Sequence, residues 1–579
     1  MLPALLTLGG AAPPSPPTLT LEIQLSPMPA KAGEREIATI GVELRFTGIT
    51  TPAGEPLLRI PLIISNVDTV ATVIDRLDAT DAHGALRLTS QTRDLPMEAA
   101  RDAEMGGPAR DWIADRTIVG TLTVKYQVPA QATLPPRGAA PPFAFVNDGG
   151  GTSAGGVTFL ALPPGRAAYR TTVSWKLAGL GKGARGVSSY GEGRVNAPEP
   201  LTAAKLRTAY YMAGQIGTWP TKIPSTGFFS AWQGTPPFDA ADQMRWAGTL
   251  YSQYSRLFGQ VTPPPYGVFL RYNPINAGGG VGLYHSFVTT FGRAGEIGSN
   301  VSEIRFTLAH EMFHTFQPYI ANPAGLASSW FAEGLATFYM RRLPLRYGLT
   351  TPTEFLGDLN FYAGRYYTSL MATVPNDEVP RRFWADTRIR TLPYDRGMLY
   401  LATVDDAIRK KTSGKRSLDD LMLALVAKQE QGSVLSNSDW EKLLQQDLGD
   451  GAVDDFHAFL AGKMPVPASD AFGPCFERTS RPLRRYELGF EPAVLMEPKR
   501  IVRGLVAGSA AAAAGLRDGD EIVKPIPQDH IQGDQRERLI LQVSREGKVF
   551  TFDYLPRGET VSAYQWQRVS NVPDAQCAL

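Results

Sequence analysis

A chain of 579 residues is too long for one hydrophobic core, and its length argues for three or four domains. A net charge of +2, with no basic run carrying interleaved aromatics, gives no electrostatic case for a nucleic-acid partner. No run of about eighteen apolar residues exists, so no segment reads as a transmembrane helix.

At the N-terminus, Leu2-Pro3-Ala4-Leu5-Leu6-Thr7-Leu8 leads into Gly9-Gly10-Ala11-Ala12. This reads as the end of a signal h-region with a small-residue cleavage site, without the positively charged n-region that normally precedes it. Export, to a periplasm or the exterior, is the favoured expectation; a leader on a cytoplasmic protein is the alternative. Cys475 and Cys577 are the only cysteines. An even pair fits one bridge in an exported protein and equally fits two unrelated thiols in the cytoplasm.

Residues 18–198 read as a β-rich domain of sandwich type. Leu19 to Leu25 and Thr121 to Tyr126 alternate apolar and polar side chains, and Thr39 to Phe46 and Leu57 to Ser65 are further strand candidates. Pro135-Pro136, Pro141-Pro142, Gly149 to Gly151 and Pro163-Pro164-Gly165 punctuate them as loops. No chemistry is legible in this part.

Residues 199–466 change character. Ala240 to Phe258 forms an amphipathic helix pattern through Met244, Leu250, Tyr254 and Leu257, and Tyr266 to Tyr272 reads as a short strand. A glycine-rich loop, Ala277 to Gly282, follows, and then Leu283 to Phe287. Next comes Leu308-Ala309-His310-Glu311-Met312-Phe313-His314, which carries H-E-x-x-H. Four residues make about one helical turn, so His310 and His314 share a face and can hold one ion. Asn300 is the expected N-cap, with Glu303 closing a capping box; Ile304, Leu308, Met312 and Phe316 form the apolar stripe, and Pro318 ends the helix. Glu311 leans into the same cleft, where it is placed to take a proton from an attacking water.

A catalytic zinc normally has three protein ligands, and Glu333 in Trp330-Phe331-Ala332-Glu333-Gly334 is the candidate third. Ser329 is the expected cap of its helix, which Leu335 and Phe338 would pack against the first. H-E-x-x-H followed by W-x-x-E-G resembles the gluzincin metallopeptidases, which implies one Zn2+ per chain on His310, His314 and Glu333. Ordinary core histidines beside a solvated Glu333 are the bland alternative. Arg396 to Lys410, Ser417 to Gln429 and Ser438 to Leu448 are the remaining helix candidates.

Residues 480–572 carry Gly504 to Ser509, Ala514-Gly515-Leu516 and Gly519-Asp520-Glu521-Ile522, in an order that resembles a PDZ domain. That resemblance makes Leu488, Gly489 and Phe490 the carboxylate-binding loop of a groove for a peptide C-terminus, joined by strand addition. A packing module with a vestigial groove is the alternative.

A β-rich front, a helical zinc-motif middle and a PDZ-like end together give a multidomain α+β chain that resembles the glycyl aminopeptidase family. The resemblance also rests on Leu257-Phe258-Gly259 and on Tyr394-Asp395-Arg396-Gly397, where the family has Y-x-K-G. It implies that Tyr394 hydrogen-bonds the tetrahedral intermediate, with Arg396 keeping the positive charge. It also implies a glycine-rich substrate strand through Gly279 and Gly280 ending G-G-x-E-H. Here Tyr284 stands where the amine-binding glutamate is expected, and His285 follows. A phenol supplies no negative charge to an ammonium group, so exopeptidase selectivity is the property most exposed to this difference.

The expected chemistry is hydrolysis of peptides or unfolded proteins, with Glu311 as general base and Tyr394 as oxyanion donor. His285 is a substrate contact or a hydrogen-bonded residue beneath its loop. Three other readings stay open: an endopeptidase on the same scaffold, a non-catalytic PDZ-type peptide binder, and a hydrolase of non-peptide amides or esters.

Overall fold

The computed structural model describes residues 19–31, 33–65, 67–95, 106–131, 140–263, 265–273, 277–296, 298–497, 499–524, 526 and 528–578. The leader at residues 2–12 and the Pro135-Pro136 pair lie outside them. The chain divides into two compact units, essentially residues 1–215 and 216–579, apart from short crossovers at 65–67 and 134–142.

The first unit is β-rich. Its strands include β1 (Thr20–Pro29), β2 (Ile37–Thr47), β3 (Leu122–Pro129), β4 (Gly151–Gly155), β5 (Ala168–Trp175), β6 (Arg185–Ser188) and β7 (Tyr210–Gly214). An eight-stranded sheet has β5-β1-β2-β3 at its centre, with β1 parallel to β5 and antiparallel to β2. Leu21, Ile23 and Leu25 of β1 are buried and Thr20, Glu22 and Gln24 are not, the period-two pattern of a half-covered strand. Strand β7 lies between β4 and β6 in a second sheet. Its hydrogen bonds therefore hold residues up to 215 in the front unit, and the boundary expected at 198/199 falls later.

The second unit is mainly helical around one sheet. It holds β8 (Phe228–Trp232), α1 (Ala240–Leu257), β9 (Tyr266–Tyr272), β10 (Gly280–Leu283), β11 (Ser286–Phe291), α2 (Val301–Phe313), α3 (Ser329–Arg346), α4 (Pro352–Tyr367), α5 (Leu392–Lys411), α6 (Leu418–Glu430) and α7 (Asn437–Leu448). Strand order is Gly217–Trp219, β8, β9, β11, β10, so among the described residues β10 is an edge strand with its outer side unpaired. The turn joining β10 to β11 is Tyr284-His285, with His285 at φ +45°.

Helix α1 runs as the apolar spacing expects, and Met244, Leu250 and Tyr254 are fully buried. The Tyr254 hydroxyl donates to the Ala309 carbonyl at 3.1 Å, tying α1 to the middle of the motif helix. Helix α5 begins at Leu392, four residues before the expected Arg396. Pro393 sits in its first turn, where the missing N–H has no partner to lose.

The end of the chain falls in this unit, part of it packing on the main core and residues 486–554 building a smaller core of their own. Strands β12 (Phe476–Tyr486) and β15 (Arg557–Arg568) form a ribbon, while β13 (Leu539–Arg545) and β14 (Lys548–Tyr554) pair in a smaller sheet. Asn360 of α4 both accepts from Trp566 N (2.7 Å) and donates to Trp566 O (2.8 Å), taking the place of a neighbouring strand. Trp566, Phe476 and the Cys475–Cys577 disulfide belong to the main core of the unit. Leu488, Gly489 and Phe490 are buried in a separate small core or beside it. The residues after them form a 3-10 turn, Pro492–Met496, where a PDZ groove would need a strand to receive the peptide. Proline at the head of that turn disfavours the strand.

Candidate metal centre

His310 lies in the last turn of α2, and His314 caps it. Asn300 is the N-cap, its side chain accepting from Ser302 N; Glu303 bonds the Asn300 side-chain amide at 3.2 Å, so the expected capping box is replaced by a side-chain pair. The helix ends at Phe313, earlier than the stripe through Phe316 predicts, because the bonds after Met312 tighten: Thr315 N reaches Met312 O and Phe316 N reaches Phe313 O. Phe316 is still buried in the core.

Glu333 arrives on α3. That helix starts at Ser329, whose hydroxyl donates back to Leu326 O and does not cap it. Leu335 and Phe338 are buried in the same core as α2, as expected. His310 Nε2 lies 3.1 Å from His314 Nε2 and 3.1 Å from Glu333 Oε2, and His314 Nε2 lies 3.4 Å from Glu333 Oε2. Among the described residues this is the one group of three His, Cys, Asp or Glu side chains gathered closely enough to share an ion.

The donor set fits zinc. Ligand atoms about 2.0–2.2 Å from a tetrahedral ion stand roughly 3.3–3.6 Å from one another, close to the three separations here. Two imidazole nitrogens and one carboxylate oxygen leave a fourth position open, the pattern of a catalytic site.

Electrostatics bind the group together. Burial would raise the Glu333 carboxyl, but the His314 and His310 imidazoles outweigh it and hold it well below the usual range. Burial acts to lower His314, and Glu333 and Glu311 reverse that into a net rise. For Glu311, desolvation dominates and raises its affinity for a proton, with His310 and His314 opposing and Glu333 adding to it.

Strand β10 runs beside Glu311. A methyl group built on Gly282 would come within 3.6 Å of Glu311 Oε2, so the carboxylate stands against this face of β10. The other predicted strand residues turn inward. The Gly279 carbonyl accepts from Thr290 N and from both Thr289 and Thr290 hydroxyls, and a Cβ on Gly280 would enter the Phe287 ring. Both glycines build the hairpin; Gly282 is the one at the reactive group. Tyr284 and His285 sit in the hairpin turn, their rings 4.3 Å apart edge to face, and the His285 carbonyl accepts from Gly267 N.

Tyr394 is in the first turn of α5, and its ring stacks on His310 at 5.7 Å with planes 23° apart. Asp395 beside it is buried and takes a bidentate contact from Arg365 of α4 (2.6 and 2.8 Å), which fixes the start of α5. Arg396 does not bring its charge to the site. It is buried, donates to the Val374 carbonyl and lies over the Phe459 ring, on the core side of α5.

Sequence reasoning missed Gln317 and Tyr319. Gln317 Nε2 is 2.9 Å from His314 Nδ1, and the Tyr319 hydroxyl donates to the His314 carbonyl at 2.7 Å. The i,i+3 spacing from His314 was the available signal for Gln317. Tyr319 lies beyond Pro318, where the helical period no longer applies.

No protein-family model matches the sequence, and no curated protein sequence matches it. Solved structures do. The M1 zinc metallopeptidase from Deinococcus radiodurans is 16% identical, with 78% of this chain and 96% of that one covered, at a TM-score of 0.41. Yeast LTA4 hydrolase is 14% identical, covering 78% of this chain and 68% of that one, at 0.44. The aminopeptidase N family protein from Idiomarina loihiensis, 14% identical, covers 95% of this chain and 98% of its own at a TM-score of 0.62. Its fold is the fold of this chain.

Proposed function

We propose that this chain is a zinc-dependent peptidase, an aminopeptidase of the glycyl aminopeptidase type with altered recognition of the substrate amine. The observation that carries the reading is the meeting of three parts: ligand atoms at zinc-compatible separations, a desolvated Glu311 beside them, and an unpaired strand edge at Gly282. His310, His314 and Glu333 would hold the ion. Zinc there supplies a Lewis acid that polarises a carbonyl and makes water nucleophilic near neutral pH.

The protein groups supply the rest. A substrate backbone adds along β10, which sets its carbonyl beside the ligand cluster. Glu311 takes the proton of the attacking water and passes it to the departing amine. The Tyr394 hydroxyl, on a ring stacked over His310, donates to the oxyanion. A binder with a purely structural ion would have no use for a carboxylate at Glu311.

A second reading, endopeptidase action, is favoured by one observation. Residues 277–291, the whole glycine-rich hairpin, contain no Asp or Glu, so the strand offers no charge to a free α-amine. Metal analysis with a peptide-library digest separates the readings by where cleavage falls. Absence of both stoichiometric zinc and cleavage would sink both.

The last part of the chain serves here as a packing module, and the Leu488–Phe490 loop as a PDZ-type site for a peptide C-terminus is the lesser proposal. An exported location, periplasmic or secreted, is supported by the Cys475–Cys577 disulfide, which reducing compartments do not maintain.

A further inference from the structure

His314 differs from His310 in its support. His310 lies inside α2, but His314 is the residue at which the helix stops, and its own amide reaches His310 O at 3.4 Å. An imidazole at a helix terminus is not oriented by the turn that would follow it. Two groups beyond the helix do that work. The Tyr319 hydroxyl holds the His314 carbonyl, and Gln317, only 3% exposed, faces the ring through a 2.9 Å contact to Nδ1.

The direction of that contact decides what His314 can do. If the Gln317 amide donates to Nδ1, the ring proton sits on Nε2, the atom that faces His310 and Glu333, and no lone pair is left for a metal. An amide has nearly the same shape with oxygen and nitrogen exchanged. With Oε1 towards the ring, Nδ1–H donates to it at the same separation. The Nε2 lone pair then points into the cluster, where a metal can take it.

We propose that Gln317 is a positioning residue for the metal centre: its side-chain oxygen accepts from His314 Nδ1–H, fixing the tautomer and ring plane that present Nε2 to zinc. This rests on the zinc reading above. Outer hydrogen-bond partners of ligating histidines typically contribute 10–100-fold in metal affinity.

The full-length protein is tested with Zn2+ in competition with a chromogenic chelator. Gln317→Met, which removes donor and acceptor at similar length, is expected to weaken zinc binding by roughly 10–100-fold. Gln317→Glu keeps an acceptor and cannot donate, and is expected to hold zinc at least as tightly as the unmodified protein. In the zinc-loaded protein the His314 Hδ1 resonance should be protected from solvent exchange and shift in Gln317→Glu, a signature that loss of packing alone would not produce. Zinc binding by Gln317→Met within twofold of the unmodified protein overturns the assignment, as does a loss in Gln317→Glu equal to that in Gln317→Met. If Gln317→Met fails to fold, a freely exchanging Hδ1 in the unmodified protein overturns it instead. Failure of the unmodified protein to bind stoichiometric zinc is the separate result that removes the zinc reading itself.

Discussion

Gly334 of α3 and Gly397 of α5 touch backbone to backbone: a Cβ built on Gly397 would lie 2.9 Å from Gly334 Cα and 2.4 Å from the Trp330 carbonyl. Glu333, one residue before the first glycine, and Tyr394, one turn before the second, both reach His310. Neither glycine has a positive φ, so the reason for glycine is the close approach and not the backbone conformation. Gly397→Ala should therefore destabilise the second unit by about 1–3 kcal/mol through overpacking, because the atoms it meets are main chain and cannot turn aside. It should also lower zinc content. Denaturant unfolding and metal analysis check both, and a variant of unchanged stability would mean the helices can part without cost.

Glu311→Gln should leave zinc bound and abolish turnover, since the three ligands persist while the proton acceptor is lost. His314→Ala should lose both. Wild-type turnover in Glu311→Gln would refute the assignment of the base.

Tyr394→Phe should lower kcat by roughly two to three powers of ten with a smaller change in KM, because the hydrogen bond forms with the oxyanion and not with the ground-state carbonyl. The ring stack on His310 survives the change, so zinc affinity should hold. An unaltered kcat would return Tyr394 to a purely packing role.

Discrimination between free and N-acetylated peptides should be weak, because the hairpin contributes an aromatic face at Tyr284 and no carboxylate. Cation–π attraction to an ammonium group is worth about 0.5–2 kcal/mol, less than a charge-assisted contact of good geometry. Tyr284→Glu should raise the ratio of kcat/KM for free over acetylated substrates. Complete rejection of acetylated peptides by the unmodified protein would show that an acid elsewhere anchors the amine.

Removing the Cys475–Cys577 bond should lower stability substantially. The two cysteines are 102 residues apart, and both are fully buried in the main core. Chain-entropy models give roughly 4–5 kcal/mol for a loop of this length. Thiol labelling of unfolded, unreduced protein should find no reactive cysteine, and two reactive thiols in protein recovered from an oxidising compartment would contradict the bridge.

What the sequence determined by itself was local. The four-residue spacing of His310 and His314, the Asn300 cap, the span of α1 and the strand Tyr266–Tyr272 follow from short periods and capping chemistry, which need no distant partner. Glu333 was legible as a candidate because its motif is short, but its distance to the histidines was not. That depends on how α2 and α3 pack together in their common core. The same limit explains the other differences. Residues 199–215 join the front unit because β7 finds β4 and β6, pairings no local pattern encodes. Arg396 looked like a site charge, but the face of α5 on which it lies was decided by packing against Phe459. Gln317 acquires a role only where the helix ends at His314, a boundary set by tightening hydrogen bonds and not by the apolar stripe, which runs on to a buried Phe316. Periodicity specifies which side chains share a face, and only long-range packing decides what that face meets.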